Sequence, residues 1–268
     1  MRSLLIVLLC LPLAVQAQYF EVGAFAGVSK YSGDLTSKLV DIDDVSLAYG
    51  ALGRFNMNEY FSFRVQLTAA EISGNDNRAP LSSGRQSRAL NFQSKIYEAA
   101  LLGEFNFPGF DVTQDQYFSP FVFAGVSGFY HNPMAYLNNQ LVDLQPLGTE
   151  GQGMEAYPDL APYSLYQLAI PVGGGLKLNI NEVVNITLEV GVRKTFTDYL
   201  DDVSGTYPDI QGLLELNPTA AALSYRAEDV LNSTSFTNPE GRSRGNPATK
   251  DWFFISGISV TFNLGTYY

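Results

Sequence analysis

The chain has 268 residues, of which 27 are acidic and 16 are Lys or Arg, together with one histidine and one cysteine. Its net charge of −11 argues against nucleic acid as a partner, because nucleic-acid binding needs clustered basic residues. A single histidine excludes a metal cluster built from several histidines of one chain. The length allows one large domain or two small ones.

The first 17 residues are typical of a cleaved signal peptide. Arg2 gives a positive start, residues 4–15 are apolar, and Ala17 ends a stretch that resembles a signal-peptidase site. Cleavage after Ala17 removes Cys10 and leaves residues 18–268, with 15 bases against 27 acids and a net charge of −12. The apolar run is too short for a membrane-spanning helix, so we expect any membrane residence to come from strands.

Eight segments alternate apolar and polar residues with the period of two that strands require. In the clearest one, Val184 and Ile186 share one face while Glu189 and Arg193 share the other. An apolar and a polar face suit lipid outside a barrel and a polar lumen inside it. The predicted strands are Tyr19–Lys30, Val45–Phe55, Tyr60–Ile72, Phe92–Phe107, Tyr117–Tyr130, Gln167–Ile180, Val183–Tyr199 and Trp252–Leu264.

The connections between these strands alternate in length. The short ones are residues 56–59, 108–116 and 181–182, and the long ones are residues 31–44, 73–91, 131–166 and 200–251. Single-chain outer-membrane barrels have an even number of strands, short periplasmic turns and long extracellular loops. We therefore predict an all-β fold, an eight-stranded antiparallel transmembrane β-barrel in the outer membrane of a Gram-negative bacterium, formed by residues 18–268 as one domain.

Aromatic residues gather at both predicted strand ends, as interfacial girdles do. At the short-turn ends these are Tyr19, Phe20, Phe55, Tyr60, Phe61, Phe105, Phe107, Tyr117, Phe118 and Phe262. At the long-loop ends they are Tyr31, Tyr130, Tyr166, Phe196, Tyr199, Trp252 and Phe253. In the longest loop, the stretch from Thr219 to Asn232 is predicted to contain a short helix.

Charged residues on the polar parity are predicted to face the lumen. The four acids and four bases are Glu21, Arg54, Arg64, Glu98, Glu104, Lys177, Glu189 and Arg193. Eight strands enclose little more space than their own side chains fill, and buried charges need partners. This balanced set therefore predicts a cross-braced polar core, with a narrow conducting or ligand-binding lumen as the alternative.

Four segments carry a family resemblance: EVGAFAGVSKYSGDL at 21–35, QPLGTEGQG at 145–153, RKTFTDYLDDVSGTYPD at 193–209 and DWFFISGISVTFNL at 251–264. They resemble the PorG-like family of small outer-membrane barrels associated with type IX secretion. The third segment supplies the residues that we call the family-motif loop, Asp198, Tyr199, Asp201, Asp202 and Gly205. The resemblance implies a barrel that anchors or contacts a periplasmic secretion ring, and it brings no catalytic residues.

Other chemistry is weaker in this sequence. A barrel hydrolase with a Ser-His-acid triad would have to use His131, which has no local signature and is predicted to be a loop histidine. Asp198, Asp201, Asp202 and Asp209 could offer oxygens to calcium, but their spacing matches no EF-hand loop, so capping and turn roles are expected.

The predicted function is therefore a non-enzymatic anchoring or assembly subunit of the type IX secretion system. Its expected partners are outer-membrane lipid and periplasmic secretion-ring proteins, with no nucleic acid, no cofactor and no metal. A small channel or lipophile carrier is the alternative.

Overall fold

The computed structural model describes residues 19–36, 45–111, 116–233 and 236–264. The predicted signal peptide, residues 1–17, lies outside the described residues.

Nine strands form one antiparallel sheet, and eight of them close into a barrel. The pairing runs from β4 through β3, β2, β1, β9, β8 and β7 to β5, and β5 returns to pair with β4. The strands are β1 (Tyr19–Ser32), β2 (Val45–Asn56), β3 (Phe61–Asn75), β4 (Asn91–Asn106), β5 (Phe118–Leu137), β6 (Gln140–Asp143), β7 (Tyr166–Asn181), β8 (Val184–Thr195) and β9 (Trp252–Asn263). The predicted fold class, a closed eight-stranded antiparallel barrel, is confirmed.

Two strand ends differ from the prediction by four residues or more, because loop residues pack as part of the interior. Strand β5 continues beyond Tyr130 to Leu137, where it forms a hairpin with β6, a short strand that the sequence analysis missed. Strand β8 ends at Thr195 rather than at Tyr199. There the Thr195 hydroxyl donates to the carbonyl oxygen of Asp251, 2.6 Å away, and the chain turns inward over the barrel.

The connections alternate in length around the barrel, with 57–60, 107–117 and 182–183 at one end. Residues 33–44, 76–90, 138–165 and 196–251 connect strands at the other end. We call these the short-turn end and the long-loop end.

The longest connection contains two helices, α1 (Ile210–Leu216) and α2 (Pro218–Ser224). Asn217 caps α2 by accepting hydrogen bonds from the backbone N–H groups of Thr219 and Ala220. The helix predicted from Thr219 to Asn232 therefore exists, but it ends at Ser224, and α1 was missed. No helix among the described residues is long and apolar enough to cross a membrane.

The strand parity sorts side chains as predicted. Apolar residues point outward and stay exposed, with exposed fractions of 76% for Leu47, 66% for Leu168 and 63% for Val190. The opposite parity is buried, and most of its charges lie in the half of the lumen nearer the short turns, whereas Arg193 lies two residues from the long-loop end of β8. The apolar outer face matches the surface that lipid covers in outer-membrane barrels.

Some of the aromatic residues assigned to girdles face inward instead. Tyr19, Tyr31 and Phe253 are buried in the interior, so their assignment to the interfacial belts was wrong. Tyr49 and Tyr97, which the sequence analysis left out, are exposed on the outer face near the long-loop end. The error arises because the position of an aromatic residue along a strand predicts which end of the barrel it lies at. It does not predict whether the ring points outward or into the lumen.

Candidate functional site: the charged lumen and the loop cap

The eight predicted lumen charges are all buried inside the barrel. The structure brings six of them into one connected cluster: Glu21, Arg54, Arg64, Glu104, Lys177 and Glu189. Arg193 and Glu98 form a separate, longer pair with 3.4 Å between Nε and Oε2. Every one of the eight charges therefore has an opposite charge beside it.

Glu104 is the centre of this cluster. Its Oε2 atom lies 2.9 Å from Nε of Arg54 and 2.6 Å from Nζ of Lys177, and its Oε1 atom lies 2.9 Å from Nε of Arg64. One carboxylate thus serves three cations. Glu189 pairs with Arg64, and Glu21 pairs with Arg54 over 2.6 Å.

Strand register explains why a hub is needed. Arg54 of β2 and Arg64 of β3 are direct cross-strand partners, and like charges in that position repel each other. Glu104 of β4 lies between them and neutralises both. Buried arginines without such a partner would be strongly destabilising.

Neutral side chains complete the polar layer. Glu21 accepts hydrogen bonds from Asn56, at 2.7 Å, and from the Thr261 hydroxyl, at 2.6 Å. Asn106 accepts from Nζ of Lys177 at 2.8 Å, and that ammonium lies 4.8 Å from the ring centre of Phe121. These neutral partners were not predicted from the sequence, because the alternation of inward and outward residues does not distinguish them from other polar residues.

The half of the lumen nearer the long loops is mainly apolar, and the Arg193–Glu98 pair is the charged group of the predicted set at this level. Inward-facing strand residues such as Ile72, Ile96 and Phe129 pack there against loop residues such as Leu200 and Leu223. This apolar layer closes the barrel at the long-loop end. A polar lumen was expected, and the apolar residues of this half were not predicted.

The short-turn end is closed as well. Phe110, in the connection between β4 and β5, is buried, and its backbone N–H donates to the carbonyl oxygen of Glu59 at 2.8 Å. Its ring centre lies 5.8 Å from Nζ of Lys177. Phe110 therefore seals the charged layer from below.

The family-motif loop forms part of the cap at the long-loop end. The Tyr31 hydroxyl donates to Oδ2 of Asp201 at 2.5 Å and lies 3.1 Å from Oδ1 of Asp251. Asp251 also accepts from the backbone N–H of Leu200, at 2.9 Å, and Asp201 accepts from that of Val203, at 3.0 Å. The two aspartates thus bind the loop to strands β1 and β9.

A second set of contacts centres on Arg244, whose Nη1 atom lies 3.0 Å from Oε1 of Glu150. Asp202 accepts hydrogen bonds from the hydroxyls of Thr149 and Tyr163, the latter at 2.7 Å. Arg244 also donates from Nη1 to the backbone carbonyl of Asp202. These contacts join the 138–165 and 196–251 connections into one cap.

The remaining family-motif residues also have structural partners. Asp198 accepts a hydrogen bond from the Ser204 hydroxyl at 2.6 Å. Tyr199 donates to Oε2 of Glu150 at 3.2 Å, and the backbone N–H of Gly205 donates to the same carboxylate. Asp198, Tyr199 and Gly205 therefore hold the cap together in this structure.

Burial raises the pKa of the cap acids. The pKa of Asp201 lies well above its usual range, first because the carboxyl is buried and then because the charge of Asp251 is close. The pKa of Asp202 is raised to about 6 by burial, and the neighbouring Arg244 opposes this shift. Burial therefore makes ionisation of these two carboxyl groups less favourable than it would be in water.

His131 lies within β5 and not in a loop, which corrects the predicted position. Its Nε2 atom lies 3.3 Å from the backbone carbonyl of Ser164, whose hydroxyl donates to the carbonyl oxygen of Tyr166, and its ring stacks on Tyr163. Among the described residues, no serine hydroxyl forms a hydrogen bond with the His131 ring, as the serine of a hydrolase triad does. Within the described ranges, no group of three or more His, Cys, Asp or Glu side chains could hold a metal ion.

Residues 2–218 match the family described as "Domain of unknown function (DUF6089)". The chain belongs to the DUF6089 family. No curated protein matches it.

The solved structures that are similar to this member of the DUF6089 family include three proteins of low sequence identity. Ail, the attachment invasion locus protein of Yersinia pestis, is 8% identical over 93% of this chain and 100% of its own, with a TM-score of 0.43. Neisserial surface protein A is 12% identical over 91% of this chain and 96% of its own, with a TM-score of 0.43. The outer membrane protein OprG from Pseudomonas aeruginosa is 10% identical over 94% and 98%, also with a TM-score of 0.43.

The location of the protein follows from its own surface. A closed barrel with an apolar outer face and exposed aromatic residues at both ends is the structure that spans outer membranes. The protein is an integral outer-membrane barrel of a Gram-negative bacterium.

Proposed function

We propose that this protein is a non-enzymatic anchoring or assembly subunit of the type IX secretion system, in contact with the system's periplasmic ring. The closed lumen is the observation that carries this proposal. Ion pairs, an apolar layer and Phe110 fill the barrel in turn, which leaves the outer surfaces as the parts that can act. The resemblance of the segments at 21–35, 145–153, 193–209 and 251–264 to the PorG-like family supports the choice of system.

The short-turn end is the surface that would meet a periplasmic ring. Glu182, in the two-residue turn between β7 and β8, is exposed and offers a charged contact there. Asp111, in the 107–117 connection at the same end, is buried. A partner would therefore contact the turns at 57–60 and 182–183 and the exposed part of the 107–117 connection.

Affinity isolation from outer membranes tests this proposal. We expect periplasmic secretion-ring proteins to co-purify with the unmodified protein and to be depleted by Glu182→Arg. The matched control is Glu228→Arg, which reverses an exposed charge at the long-loop end and should leave co-purification unchanged.

A deletion strain provides the second test. Loss of export through the type IX route, with unchanged small-molecule permeability, is the expected result. Normal export together with lost uptake of a hydrophobic solute would reject the secretion role and favour the small channel or lipophile carrier.

A further inference from the structure

A cavity of about 660 Å³ opens among three connections at the long-loop end. Four arginines line it, Arg85, Arg88, Arg242 and Arg244, whereas the whole chain has 16 Lys and Arg and a net charge of −11. Among the described lining residues, Asp34 is the one acid. A quarter of the chain's basic side chains is therefore concentrated in one place on an acidic protein.

Two of these arginines build the wall. Nε of Arg88 lies 2.6 Å from Asp76, and Nη1 of Arg88 donates to the backbone carbonyl of Arg244. Arg244 in turn pairs with Glu150. Because acids behind the wall neutralise Arg88 and Arg244, their role is to fix the shape of the cavity.

The other two arginines keep donors for a ligand. Arg85 uses Nη1 to bond the backbone carbonyls of Asp34 and Thr36, at 3.1 and 2.8 Å, and in the described part of the chain its Nε and Nη2 have no acceptor. Arg242 is exposed, and no described residue pairs with its guanidinium. Guanidinium groups bind phosphate oxygens through paired hydrogen bonds.

The size of the cavity and its other lining residues indicate what kind of molecule bears the phosphate group. A volume of about 660 Å³ is in the range of small-molecule sites and is far larger than a bare phosphate needs. The hydroxyls of Ser87 and Ser243 donate to Gly84 and Gly245 within their own loops, so their oxygens remain free to accept hydrogen bonds. Acceptors of this kind suit the hydroxyl groups of a sugar.

We propose that this cavity binds a phosphorylated saccharide, with Arg85 and Arg242 on the phosphate and the serine hydroxyls on the sugar. The phosphate ester could belong to a free sugar phosphate or to the phosphorylated headgroup of an outer-leaflet glycolipid. This site is independent of the proposed contact at the short-turn end.

Calorimetric titration of the folded barrel in detergent tests the site with glucose 6-phosphate and glucose as probes. We expect glucose 6-phosphate to bind and glucose to bind at least tenfold more weakly. Arg242→Gln should lower the affinity for the phosphate by about tenfold, the effect of one charge-assisted hydrogen bond. Arg78→Gln, which removes an exposed charge from the same loop as Arg85 but lies outside the cavity lining, should not.

Asp34→Asn should change the affinity in the opposite direction. It removes the negative charge of Asp34 from the cavity and should therefore tighten phosphate binding. Nanodiscs of phosphatidylcholine with and without lipopolysaccharide identify the source of the ligand. In one outcome, lipopolysaccharide raises the unfolding temperature of the unmodified protein but not that of Arg242→Gln, while glucose 6-phosphate does not bind. That result would identify the glycolipid headgroup as the ligand. The proposal would be overturned if Arg242→Gln and Arg78→Gln had the same affinity in calorimetry and the same unfolding temperature in nanodiscs. It would also be overturned if the unmodified protein bound neither glucose 6-phosphate nor lipopolysaccharide.

Discussion

Glu104 holds three buried cations, and this makes it the most consequential residue in the lumen. Neutralising it would leave Lys177 without its ion-pair partner and would place Arg54 opposite Arg64 with no charge between them. Glu189 differs, because its partner Arg64 keeps Glu104 when Glu189 is lost. The two glutamates therefore separate the effect of a hub from that of a single pair.

We expect Glu104→Gln to lower the free energy of unfolding by about 3 to 5 kcal/mol, the size reported for breaking a buried ion pair. Glu189→Gln, the matched control, should cost clearly less. Urea unfolding in lipid vesicles measures both, with the fluorescence of Trp252, the only tryptophan, as the signal. Equal losses for the two variants would show that Glu104 is not a hub.

The cap acids give the protein a pH dependence with a defined sign. A carboxyl whose pKa is raised by folding stabilises the folded state fully below its unfolded pKa of about 3.9 and loses that contribution as the pH rises through the folded value. For Asp202 the loss falls between about pH 4 and its folded pKa of about 6. For Asp201 it extends to higher pH.

Asp201→Asn should therefore raise the unfolding temperature at pH 8, because the raised pKa of the native carboxyl lowers the stability of the folded state at that pH and the amide does not titrate. At pH 4.5 the substitution should change little, because the carboxyl is already protonated. The exposed Asp159→Asn serves as the control and should shift neither value. If the Asp201→Asn profile runs parallel to that of the unmodified protein, the proton is not held where we place it.

The positions of the eight lumen charges could be predicted from the sequence, because the period of two assigns each strand residue to a face. Their partners could not. That Glu104 lies between Arg54 and Arg64 depends on the register of three strands, and register is decided by the closed sheet as a whole. The buried Asp201 was likewise unpredictable, since its contact with Tyr31 joins residues 170 positions apart.

At the scale of elements, the period of two predicted the barrel strands, whereas the structure of the long loops was not predicted. The eight barrel strands were found to within a few residues, except where β5 runs on into the hairpin with β6. The apolar inner layer was missed because its strand residues, such as Ile72 and Ile96, look like ordinary apolar positions until the loops that cover them are placed. Helix α1 was missed for the same reason, since its stability comes from packing on the cap.

The element arrangement predicts an orientation in the membrane. The long-loop end should face outward, so a cysteine at Ser83→Cys, in the β3–β4 connection, should react with an impermeant reagent on intact cells. Met57→Cys, in the turn between β2 and β3, should react only after the outer membrane is opened. Both sites are tested in the chain whose one native cysteine is Cys10. The reverse labelling pattern would invert the orientation.

At the scale of the whole molecule, the filled lumen predicts that the barrel does not conduct ions. Purified protein in planar bilayers should show little or no steady conductance, because ion pairs and apolar side chains occupy the path in series. A stable pore of large conductance would show that the interior opens in the membrane. That result would favour the channel alternative over the anchoring role.

Glu21 has a consequence for biogenesis. This carboxylate of β1 bonds Arg54 on β2 and Thr261 on β9, so it spans the seam at which the first and last strands meet. A flat, unfinished sheet would carry Arg54 and Arg64 into hydrocarbon at a cost of about 2 to 4 kcal/mol for each cation. The nascent sheet must therefore curl, and its two terminal strands must find each other, before lipid surrounds it.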